Sequence, residues 1–121
     1  MDSIKISSVM QDRTLASLGD AYVNFIYSLA LTQTKGEPYG VKVSDRILAG
    51  AFKAAGLREY LGRKQSRKDF ANASEALLVD AYRKGLLTIN ESVKIITEKD
   101  DPAEGIRDLL KIAVERMIKS E

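Results

Sequence analysis

Apolar residues recur at Leu15, Leu18, Tyr22, Phe25, Ile26 and Leu29, the three- and four-residue spacing of a helical face. Val23, Tyr27 and Ala30 add apolar surface on the other sides. A helix apolar around most of its circumference is one its neighbours bury. Residues 15–31 are therefore expected to form the central helix, capped by Asp12 and running to about Gln33. Gly19 and Asp20 interrupt its first half. Within a helix Gly costs about 1 kcal/mol against Ala, and a buried carboxylate costs several unless paired or bound to metal. Two explanations are open. Either Gly19 permits a close helix crossing while Asp20 caps or pairs locally, or Asp20 is a functional carboxylate.

The same periodicity sets out the rest of the chain. Ile4, Ile6 and Val9 alternate weakly, as in a frayed lead-in or a short helix. Gly and Pro within residues 35–40 mark a loop. Ser44 then caps a helix striped by Ile47, Leu48, Ala51, Phe52 and Ala55 and closed by Gly56. Residues 57–61 make a short helical turn before Gly62. Ser66 with Asp69 starts a helix carrying Phe70, Ala73, Leu77, Leu78 and Ala81, which Gly85 ends. Thr88 with Glu91 reads as another capping box, ahead of Val93, Ile95 and Ile96. Asp101, Pro102 and Glu104 open a last helix striped by Ile106, Leu109, Leu110, Ala113 and Met117. No segment has the alternation and turn chemistry of a hairpin. The expectation is one all-α domain over residues 1–121, of about six or seven helices, without internal repeat or second domain.

Composition narrows the chemistry. The 121 residues contain no Cys and no His, which removes disulfides, thiolate or imidazole zinc sites, and His-based acid–base or nucleophilic catalysis. An enzyme built on this chain must work with carboxylates, amides, hydroxyls, Lys and Arg. Those ligands favour a hard cation, Mg²⁺ or Mn²⁺. A net charge of +2 does not by itself argue for nucleic acid. No apolar run is long enough to span a membrane and no signal-peptide pattern opens the chain, so a cytoplasmic protein without a membrane partner is expected.

Asp20 and Asn24 lie one turn apart on one helix face, as do Asn72 and Glu75 on another helix. If the two helices cross near Asp20, two carboxylates and two amides converge in a set that suits Mg²⁺ completed by waters. The opposing view is that these groups only hydrogen-bond across a buried interface, with Glu75 facing solvent. Residues 63–68 place Arg63, Lys64, Arg67 and Lys68 in one acid-free run. Most such runs are solvated surface. This one directly precedes the helix of Asn72 and Glu75, which makes phosphate contact plausible. It lacks interleaved aromatics, so it suits a duplex backbone better than stacked single strands.

Leu18-Gly19-Asp20-Ala21 and Ala71-Asn72-Ala73-Ser74-Glu75-Ala76-Leu77 together resemble the two motifs of the ribonuclease III catalytic domain, in order, separation and helical setting. The likeness covers roughly residues 11–85 and points to the compact, Mini-III-like or short archaeal type without a double-stranded-RNA-binding domain. It implies that Asp20 and Glu75 are catalytic and bind Mg²⁺, with Asn72 as a further ligand and Asn24 in support. It also implies a homodimer whose subunits each cut one strand of double-stranded or structured RNA by water attack, leaving a 5′-phosphate and a 3′-hydroxyl. Arg63, Lys64, Arg67 and Lys68 would hold phosphates. The chain departs from the family pattern at Arg13 and Ala16, where two glutamates are usual, and at Asn72, where an aspartate is usual. These departures motivate an alternative, a catalytically inactive RNA-binding or ribosome-associated dimer module of the same fold. A third possibility is a helical dimerisation domain with no nucleic-acid partner.

Overall fold

A computed structural model of the chain describes residues 1–120. It contains α1 (Ser3–Met10), α2 (Arg13–Lys35), α3 (Asp45–Ala54), α4 (Arg67–Arg83), α5 (Ile89–Thr97) and α6 (Pro102–Lys119), with a 3-10 turn at Arg58–Tyr60 and no strand among the described residues. The fold is all-helical, as expected. The helix starts follow from local chemistry. The side chains of Asp12, Ser44, Ser66, Thr88 and Asp101 each accept a backbone N–H of the first turn that follows, satisfying donors the helix cannot. At Ser66 the box is complete, because Asp69 accepts the Ser66 N–H in return at 2.9 Å.

Glu91 corrects the second capping box. Thr88 accepts the Glu91 N–H at 3.0 Å, but the Glu91 carboxylate does not return. It makes a two-pronged ion pair with Arg116 of α6, at 2.8 and 2.7 Å, and Arg116 also donates to the Leu86 carbonyl. A bidentate guanidinium–carboxylate contact between elements outweighs the second half of a local cap. The lead-in also resolves, since residues 3–10 are helical and the Met1 ammonium donates to the Ile118 and Ser120 carbonyls.

The expectation of which helix is most buried needs a larger correction. Every residue from 70 to 81 except Asn72 is buried in α4, which packs against α1, α2, α3 and α6. Residues Ala71, Ala73, Ala76 and Ala81 keep α4 thin, so neighbours close around it on all sides. In contrast α2 buries Leu15, Tyr22, Val23 and Ile26 but leaves Leu18 at 49% and Phe25 at 52% exposure. The broad apolar surface of α2 is therefore partly an outward face. Its inward face makes the most extensive helix contact of the fold, against α4.

Candidate active site

The site begins with a backbone contact. A Cβ on Gly19 would overlap the Glu75 carbonyl group and stand 2.9 Å from the Glu75 Cα. Only glycine lets α2 and α4 approach so closely there. The next residue, Asp20, and Glu75 both line the cleft beside this crossing, near enough for each carboxyl to shift the titration of the other. The crossing is close, as the first explanation of the Gly-Asp pair expects, and Asp20 pairs locally with Asn24 and Lys42. Asp20 caps nothing. Glu75, the residue that might have faced solvent, is buried at 5% exposure.

Burial above all, and then the hydrogen bond and charge of Asp20, push the Glu75 carboxyl up from 4.5 to about 8. The same hydrogen bond, aided by Lys42 and Asn24, holds Asp20 below its usual range. At neutral pH Glu75 is therefore held protonated beside the Asp20 carboxylate.

Asn24 positions this pair. Its Nδ2 donates to Asp20 Oδ1 at 3.3 Å and its Oδ1 accepts the Val43 N–H at 2.8 Å. One turn on, Ser28 Oγ accepts the Val41 N–H at 3.0 Å and donates to the Val41 carbonyl at 3.1 Å. Asp20, Asn24 and Ser28 thus form a polar ladder that binds the segment leading into α3. Between the two anchored residues, Lys42 Nζ lies 3.5 Å from both Asp20 carboxylate oxygens.

Asn72, one turn before Glu75 on α4, opens onto the same cleft, of about 840 Å³. Arg67 and Lys68 also line it, and Lys68 pairs with Asp45 at 3.4 Å. Arg63 and Lys64 do not. They lie along a separate depression with Arg58 and Gln65, so the basic run divides at the start of α4. Sequence reasoning missed Lys42, Asp45 and Arg46, and Arg13 was noted only as a departure, yet all four line the cleft. Asp45 and Arg46 follow the Ser44 cap and so had a signal, being held in the first turn of α3. Lys42 had none beyond lying in a loop.

The donors fit a hard divalent cation. Such an ion takes one or two protein carboxylates and keeps several waters. Asp20 and Glu75 could offer carboxylates and Asn72 a neutral carbonyl oxygen, all three lining the one cleft. No cluster of three acidic residues with metal-holding geometry occurs among the described residues, and Ala16 on the cleft wall contributes no ligand.

A family model described as Ribonuclease III matches residues 13–115, from the first turn of α2 into the last turns of α6. The chain belongs to the ribonuclease III family. A search of curated proteins returned no match. Ribonuclease III enzymes are RNA-processing nucleases that act on double-stranded RNA and generally use a divalent metal. The matched span of this ribonuclease III domain contains Gly19 and Glu75, which touch at the helix crossing, and Asp20 and Asn72, which line the cleft beside it. No helix among the described residues is long and apolar enough to cross a membrane.

Proposed function

We propose that the protein is a divalent-metal-dependent endoribonuclease that cleaves double-stranded or structured RNA as a homodimer. The observation that carries this is the convergence of Asp20 and Glu75 on one cleft beside the Gly19 crossing, a cleft that Arg67 and Lys68 also line. Asp20 and Glu75, with Asn72, would hold Mg²⁺ or Mn²⁺, which when bound acidifies water and neutralises charge on a phosphoryl group. Asn24 keeps the Asp20 carboxylate turned to the cleft. Glu75 would give up its proton to solvent when such an ion is held, so that both carboxylates could act as ligands. Arg67 and Lys68 hold backbone phosphates beside the scissile bond, and Arg63 and Lys64, on their separate surface, engage phosphates further along the duplex.

The test is a cleavage assay on long double-stranded RNA at low salt with Mg²⁺, Mn²⁺ or EDTA. Asp20→Asn is expected to reduce the metal-dependent rate by at least about a thousandfold. Its fold should persist, because the Asp20 side chain is 44% exposed. Cutting by this variant at the wild-type rate refutes the assignment. The family match does not favour the inactive RNA-binding module, whose signature is a retarded RNA band with no metal-dependent product.

The outward face of α2 supports the dimer. Phe25 and Leu29 line an apolar groove of about 690 Å³ with Pro38, Tyr39 and Val41. Phe25→Asp places a charge on that face without touching the core. It is expected to convert a dimer to a folded monomer, read by sedimentation and circular dichroism. A variant that stays dimeric removes this face from the interface.

A further inference from the structure

Lys42 belongs to neither of the two motifs of the site, yet it makes the one ion pair that Asp20 has among the described residues. Its ammonium sits 3.5 Å from both Asp20 oxygens, a loose, bridging contact. By comparison, Lys84 and Asp80 meet at 2.6 Å. The backbone on either side of Lys42 is fixed to α2, Val41 by Ser28 and Val43 by Asn24, whereas the Lys42 side chain is 73% exposed. A fixed root with a free four-carbon stem can swing its charge without disturbing the fold. Lys68, the other ammonium on the cleft, is engaged by Asp45 at 3.4 Å.

We infer that Lys42 is the resident counter-ion of Asp20, yielding the carboxylate to a divalent cation and turning to the RNA phosphate at the scissile bond. This rests on the nuclease assignment above. The ammonium neutralises Asp20 while the site is unloaded. A divalent ion at Asp20 and an ammonium about 4 Å away repel each other. Of the charges that RNA brings to the cleft, the phosphate is the negative one, and Lys42 lines that cleft with an exposed side chain. The chain thereby gains a phosphate-contacting group in a site where Ala16 and Asn72 supply no charge.

The experiment compares wild type, Lys42→Met and Lys42→Arg in two measurements. The first is Mn²⁺ binding to RNA-free protein by calorimetry. The second is single-turnover cleavage of double-stranded RNA at saturating Mn²⁺. Lys42→Met keeps the length of the side chain and removes its charge, so Mn²⁺ should bind about three- to tenfold more tightly. Cleavage should fall roughly ten- to a hundredfold with RNA affinity little changed, and Lys42→Arg should restore part of the rate and near-wild-type Mn²⁺ affinity. Mn²⁺ affinity unchanged or weakened in Lys42→Met overturns the counter-ion role, and cleavage at the wild-type rate overturns the phosphate contact. Wild-type protein that takes up no Mn²⁺ overturns the metal-dependent assignment itself, and that failure is visible in the wild-type titration alone.

Discussion

Glu75→Gln is expected to stabilise the metal-free protein above pH 8 and at the same time to abolish cleavage. In the folded chain burial and Asp20 hold the Glu75 proton up to about 8, whereas the ordinary value is 4.5. The raised value means that the stabilising contribution of this group is complete below pH 4.5 and is lost as pH rises through the window to 8. Gln resembles the protonated form, because it is uncharged, of the same size, and never ionises. The variant should therefore match wild type at the acid end and exceed it at pH 9 by on the order of 3 kcal/mol, or roughly 10 °C in Tm. Saturating Mg²⁺ should reverse the order, since wild type gains stability from a ligand that binds the native state and the variant lacks one carboxylate to hold it. Cleavage should drop about a thousandfold or more. Thermal unfolding from pH 5 to 9 in EDTA, repeated with Mg²⁺, checks both halves. A variant no more stable than wild type at pH 9 would mean that burial and Asp20 do not hold the Glu75 proton.

The helix boundaries were legible in the sequence because capping is local. Asp12, Ser44, Ser66, Thr88 and Asp101 act within three residues of themselves, and no distant contact is needed to recognise them. Centrality is a property of the whole assembly. The large apolar residues of α2 suggested burial, but the small ones of α4 decide it, because four alanines leave room for neighbours on every side. Glu91 shows the same limit on a smaller scale, its local partner being displaced by Arg116 from another helix.

Within the site, what was legible lay on helices. Asp20 and Asn24, and Asn72 and Glu75, share faces by spacing alone, and the resemblance between the paired motifs and one family placed the two faces together. Lys42 stands 22 residues from Asp20 in a loop, and its position depends on Asn24 and Ser28 gripping the backbone around it. No periodicity encodes such a grip. The basic run was visible as composition, but its division was not. Ser66 starts α4 between the two pairs of cations, so Arg67 and Lys68 follow the helix to the cleft while Arg63 and Lys64 stay in the preceding loop.

Gly19→Ala should be the most damaging single-methyl change in the molecule. Alanine normally favours a helix over glycine by about 1 kcal/mol. Here the new Cβ would overlap the Glu75 carbonyl group, and backbone on both sides of the contact leaves no flexible side chain to give way. The helices must separate, loosening the most extensive helix contact of the fold, with a net cost of about 3 kcal/mol or more. The same separation draws Asp20 away from Glu75, and a displacement of about 1 Å at reacting groups can cost a hundredfold in rate. Gly105→Ala supplies the control. Its Cβ would stand 2.5 Å from the Ile96 carbonyl oxygen and 2.7 Å from the Ile96 Cα, a backbone clash of the same kind, though less severe, between α5 and α6. None of Gly105, Ile96 or their neighbours lines the cleft. Both variants should lose stability, but Gly105→Ala should keep its rate per folded molecule while Gly19→Ala loses it. Unfolding curves and cleavage rates at a temperature where each variant remains folded separate the two effects. Equal rates in the two variants would show that the Gly19 crossing serves packing alone and does not set the spacing of the carboxylates.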